Sequence, residues 1–162
     1  MNRTLYVYDS TSGLIGYTVE NVTRAQLTFY ENRNIPHFVS ETPVNLRGTY
    51  VVLDDNGAFS SVAPRQHFSI GVTHGPNNPL IANGTDNIIF SDIPDETEVT
   101  VGNPFNQKYV SDGSDPTLEF TANGISGSNV NVTVSFRKYG YYPSDHYIPL
   151  WVDAWAGDAN VG

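Results

Sequence analysis

From residue 67 to residue 156 the chain offers no run of apolar residues at helical spacing. The clearest stretch there is "NVNVTVSF". Val130, Val132, Val134 and Phe136 fall on one side of an extended chain, and Asn131, Thr133 and Ser135 fall on the other. A strand with one buried and one wet face requires that period of two. Full burial of such side chains contributes roughly 1.5–3 kcal/mol each. "HFSIGVT", "NIIFSDI", "TEVTVG", "QKYVSD", "TLEFTA" and "HYIPLWVDAW" complete a set of seven short strands, with turns such as "ANGTD" and "TANGISG" between some of them. Seven strands at this density predict an immunoglobulin-like (Ig-like) β-sandwich. The Cys and Trp hallmarks of antibody domains are absent, so the expectation concerns architecture alone.

The N-terminal part reads differently. "TLYVYD" and "LIGYTVE" alternate as strands about the turn "DSTSG". In "TRAQLTFYENRN" the period changes to that of a short helix. Thr23 and Gln26 have the spacing of a capping box, and Ala25, Leu27 and Tyr30 supply an apolar side. "HFVS" and "TYVVLDDNGAFSSV" return to strands, and Asp-Asp-Asn-Gly predicts a type I′ hairpin turn. The fold class expected is mainly β. A small N-terminal α+β unit spans residues 1–64, an Ig-like seven-stranded sandwich 67–156, and a polar tail 157–162.

Charge narrows the function. The net charge is −9, and the 8 basic residues form no run. Neutralising phosphates needs clustered Lys and Arg, so nucleic acid is not an expected partner, and an anionic bilayer is disfavoured for the same reason. With no cysteine, disulfides, thiol catalysis and thiolate metal sites are excluded. No apolar run approaches the ~20 residues of a membrane helix. "MNRTLYVYDS" runs straight into a strand, with nothing like a secretory signal before it. The expectation is a chain made in a reducing cytoplasm, where the sequons at Asn2, Asn21, Asn83 and Asn131 carry no sugar.

Catalytic signatures are missing. His37, His67, His74 and His146 are scattered, with no short metal-ligand spacing among them. "DDNG" reads as a turn, and "SDIPDETE" as a solvated acidic loop without the register of a calcium-binding loop. No nucleophile elbow, phosphate-cradling loop or dinucleotide fingerprint occurs. The expectation is a non-enzyme that needs neither cofactor nor metal.

What remains distinctive is the aromatic belt "FRKYGYYPSDHYIPLWVDAW". In its last strand Ile148, Leu150, Val152 and Ala154 share a core face. Tyr147, Trp151 and Trp155 share the opposite face, with Pro149 and Asp153 between them. Pro149 cannot donate to a ladder, which predicts an edge strand or a bulge. Coverage by a neighbouring part of the same chain, contact with another protein, and a carbohydrate platform all fit such a face. Sugar sites need convergent polar groups, and only Asp145, His146 and Asp153 are near. Interfaces are enriched in Trp and Tyr. Tyr141, Tyr142, Tyr147, Trp151 and Trp155 are therefore the candidate protein-interface residues.

Three stretches carry a resemblance. "TLYVYDSTSGLIGYTVENVT", "GTYVVLDDNGAFSSVAPR" and the segment from "VTVGNPFNQKYV" through "FRKYGYYPSDHYIPLWVDA" together cover most of the chain. In that order they resemble small virion structural proteins of tailed bacteriophages that end in an Ig-like domain. The resemblance implies a capsid decoration (cement) protein on the outer head lattice, with the major capsid protein as partner and homo-oligomers in view. A tail or fibre accessory protein is the alternative, and a carbohydrate-binding or adhesion module the alternative from another class. Localisation in the virion follows from the same resemblance.

Overall fold

The computed structural model describes residues 2–123 and 129–151. Over the described residues the protein is mainly β with one helix, and the chain divides into two compact units. One comprises the chain up to Gln66 together with Tyr139–Tyr141. The other comprises His67–Lys138 and the chain from Tyr142 onward.

In the first unit β1 (Thr4–Tyr8) lies between β2 (Ile15–Val19) and β3 (His37–Ser40), antiparallel to both. Leu5, Tyr6, Val7 and Tyr8 are all buried, so both faces of this central strand are covered. Helix α1 (Arg24–Asn32) starts as its sequence predicts. The Gln26 amide donates to Thr23 Oγ1 at 3.2 Å, and the Thr23 amide donates back to Gln26 Oε1 at 2.8 Å.

A hairpin of β4 (Thr49–Leu53) and β5 (Phe59–Pro64) completes the unit. Its turn departs from the type I′ expectation. Gly57 alone of the turn takes a positive φ, +80°. The Asp54 carboxylate accepts from the Asn56 and Ala58 amides, each at 2.9 Å, and the Asp54 amide donates to the Ala58 carbonyl at 2.8 Å. An Asp side chain that caps the turn favours a longer loop with one left-handed glycine, so Asn56 stays out of the left-handed region. The core gathers Tyr6, Tyr8, Ile15, Phe38 and Val51. Phe38 stacks on Tyr6 at 4.9 Å and on Phe59 at 4.4 Å.

The second unit is β-sandwich-like. Its strands are β6 (Gly71–Val72), β7 (Leu80–Ile81), β8 (Asn87–Ser91), β9 (Glu98–Val101), β10 (Gln107–Val110), β11 (Leu118–Thr121), β12 (Val130–Arg137) and β13 (Ser144–Trp151). A five-stranded sheet runs β10-β9-β12-β13-β7, and a three-stranded sheet runs β11-β8-β6. Every pairing is antiparallel except that of β13 with β7.

One apolar core joins the two sheets. Phe90 and Ile88 come from the smaller sheet, and Val99, Val134, Phe136 and Leu150 are among those from the larger. The alternation in β12 holds at Val132, Val134 and Phe136, all buried, and fails at Val130, which is 43% exposed. Val130 is the first residue of its strand and lies opposite Leu150, which is itself buried in the core. On the other face Thr133 and Ser135 are half-buried rather than wet, because β12 is central and has neighbours on both sides. β7 is an eighth strand that the seven-strand reading omitted. At two residues it is too short to show a period.

A candidate interaction surface on the outer face of β13

Seven residue pairs tie β13 to β12, from Val130↔Leu150 to Phe136↔Ser144. Alternation then sends Ile148 and Leu150 into the core and leaves Tyr147 58% and Trp151 40% exposed on the outer face. Opposed residues in a ladder share a face. Thr133 therefore lies beside Tyr147, Asn131 beside Pro149, and Ile81 of β7 beside Trp151. Among the described residues the result is an uncharged strip in which Tyr147, Pro149, Trp151 and Ile81 supply the apolar surface.

Among the described residues of these strands, the charged side chains on this face lie at its other end and are paired with one another. Arg137 reaches Asp145 at 2.7 Å, and Lys108 reaches Glu98 at 3.2 Å. The hydrogen bond from Arg137 holds the Asp145 carboxyl below the usual carboxylate range.

β13 is not the sheet's edge, as Pro149 had suggested. β7 covers it at Leu150 and Trp151, and the Ala82 amide donates to the Trp151 carbonyl at 2.9 Å. Alternate residues of a strand direct their backbone groups to the same side, so the missing N–H of Pro149 faces the β7 side. That side is paired only further along, where β7 begins. A proline is tolerated there and would break a ladder on the β12 side.

The edge that β7 presents is itself closed. Its outward Ile81 amide donates to Asp86 Oδ2 at 2.8 Å, and its outward Ile81 carbonyl accepts from the Asn83 amide at 2.8 Å. Asp86 is fixed in turn. Its Oδ1 accepts from His74 Nε2 at 3.0 Å, His74 Nδ1 lies 2.8 Å from Thr73 Oγ1, and Thr73 Oγ1 accepts from the Ile89 amide at 2.9 Å. With those groups occupied, Ile81 cannot template an added strand. A partner at this corner meets side chains, not backbone.

The expected interface residues are thus distributed as follows. Tyr147 and Trp151 share the outer face. Tyr142 is half-buried and stacks on His67 at 4.6 Å within the second unit. Tyr141 belongs to the first unit, where its carbonyl accepts from Arg65 Nη2 at 3.1 Å. Trp155, with Val152, Asp153 and Ala154, lies outside the described residues. Ile81 and the Thr73–His74–Asp86 chain escaped sequence reasoning. Their only signal was a proline, two apolar residues and an Asn-Gly turn in "NNPLIANGTD".

Among the described residues no group of three or more His, Cys, Asp or Glu side chains could hold a metal ion. No helix among them is long and apolar enough to cross a membrane. No protein-family model matches the chain, and no curated protein or solved structure matches it.

Proposed function

We propose that the protein is a non-enzymatic structural protein of a tailed-bacteriophage virion, a decoration protein that docks on the outer head lattice through the outer face of β13. The observation that carries the reading is the exposure of Tyr147 and Trp151 at the end of the outer face where the described strand residues carry no charge, and where the core makes no use of them. The resemblance of the three sequence segments supports the virion setting. Strand order supports an Ig-like scaffold for it. β6, β8 and β11 occupy the places of strands A, B and E, while β10, β9, β12 and β13 occupy those of C′, C, F and G. Fold alone does not assign function, so the weight rests on the surface.

The test is Trp151→Ala measured on purified particles. Truncating a central interface Trp costs at least ~2 kcal/mol of binding, roughly a thirtyfold loss per site. The variant is expected to keep its circular dichroism and melting temperature while particle occupancy falls. Labelled protein should decorate heads, and decoration confined to tails would favour the tail-accessory reading. Retained particle binding with lost affinity for a polysaccharide would favour the sugar-binding one.

A further inference from the structure

The first unit carries an apolar surface of its own, and it centres on α1. A nine-residue helix is too short to persist by itself in water, so packing must hold it. None of its residues is buried, and Phe29 is 45% exposed. Ala25 and Phe29 share a face at i, i+4 spacing, and Arg33, the residue that caps the helix, lies over the Phe29 ring. Beside them Tyr17 of β2 is 48% exposed, with its hydroxyl 3.2 Å from that of Tyr30. Val19, Ala25, Gln26, Phe29 and Tyr30 line an open groove of about 340 Å³.

One charge marks this face. The Arg33 guanidinium carbon sits 3.8 Å from the centroid of the Phe29 ring, and no carboxylate pairs with it among the described residues. A guanidinium stacked by its plane on a ring keeps its N–H edge for a carboxylate. The distribution of charge along the chain favours an acidic visitor here over elsewhere. Up to Gln66 there are five basic and six acidic residues, whereas the remainder carries three basic and eleven acidic. The first unit is close to neutral, and most of the −9 resides in the second.

We propose that α1, with Tyr17 and Val19 of β2, is a docking surface for an acidic segment of another protein, which seats an apolar side chain against Phe29 and a carboxylate on Arg33. A second copy of this chain fits less well, since association would bring two molecules of charge −9 together. An anionic membrane sets a continuous sheet of charge against −9, whereas a short segment needs to place only one carboxylate on Arg33. The proposal stands on the first unit alone and does not rest on the virion reading.

The test selects 12-residue peptides from a random library against the full-length protein. Enriched peptides are expected to combine Asp or Glu with a large apolar residue. They should lose at least tenfold in affinity with Phe29→Ser and with Arg33→Glu, and bind Trp151→Ala as they bind the wild type. Both variants should keep the wild-type circular dichroism, because neither side chain is buried. Replacing the peptide carboxylate by Lys should restore part of the affinity for Arg33→Glu. Failure to enrich, enrichment of peptides without carboxylates, or affinity indifferent to both substitutions would overturn the proposal. So would a dimer in sedimentation velocity, or pelleting with vesicles of phosphatidylcholine and phosphatidylglycerol, if Phe29→Ser abolished it.

Discussion

His146 stands edge-on to Phe136, with ring centroids 5.5 Å apart and planes at 90°, on the inner side of β13. Phe90 approaches the same imidazole at 5.5 Å and 80°, and Ser144 Oγ lies 3.2 Å from its Nε2.

Burial against these rings pushes the His146 pKa down, and the neighbouring Asp145 only partly opposes the effect. The folded protein therefore resists a proton that the unfolded chain accepts near the ordinary value of about 6.5. The stability present above that pH is lost as pH falls through the depressed folded value. Melting temperature should drop between neutral pH and about pH 5, and His146→Leu should make the drop smaller. Asp145, held low by Arg137, loses its contribution only below the ordinary carboxylate value of about 4, so the drop between neutral pH and about pH 5 is left to the imidazole. An unchanged pH profile in His146→Leu would mean that the imidazole is not what titrates against the fold.

Val132 and Thr133 are adjacent yet face opposite sides of β12. Val132 is 1% exposed in the core, whereas Thr133 looks onto the outer face beside Tyr147. Val132→Asp buries a carboxylate among apolar side chains, which costs several kcal/mol or forces protonation. It is expected to abolish cooperative unfolding of the second unit. Thr133→Asp should shift the midpoint of urea denaturation by far less.

Gly13 and Gly57 both lie in the left-handed region, at φ +76° and +80°. A Cβ on Gly57 would meet nothing within 4 Å, while one on Gly13 would come 2.5 Å from Tyr139 Cζ. That ring packs edge-on to Tyr50 at 5.8 Å, and its hydroxyl donates to the Val51 carbonyl. Gly57→Ala incurs backbone strain alone, about 1–3 kcal/mol. Gly13→Ala adds displacement of an anchored ring and should lower the melting temperature more. Equal effects of the two substitutions would show that Tyr139 yields freely.

Residues 67–156 expressed alone should give a cooperatively folding β protein, because the sandwich core draws only on residues from this range. The fragment leaves Tyr139–Tyr141 without the first-unit residues they pack among, Val51 and Tyr50 included. Its melting temperature should therefore fall below that of the full chain. A fragment lacking sharp thermal unfolding and near-ultraviolet dichroism would show that the second unit is not autonomous.

Local chemistry made much of this protein legible from its sequence. The Thr23–Gln26 capping box is a three-residue relationship, and the inward set Val132, Val134, Phe136, Ile148 and Leu150 follows from a period of two. Neither depends on anything distant, so both survive folding as read. Which strand neighbours which is another matter, because ladders join residues far apart in sequence. Pro149 signalled an unpaired N–H without telling which side it faces. Only the parallel pairing of β13 with β7 decided that, leaving Ile81 beside Trp151 and its backbone occupied by Asp86 and Asn83. Tertiary structure likewise separated Tyr141 from Tyr142, neighbours in sequence that belong to different units. Exposure of Phe29 was equally hidden, since a helix's apolar face reads the same in sequence whether or not anything packs on it.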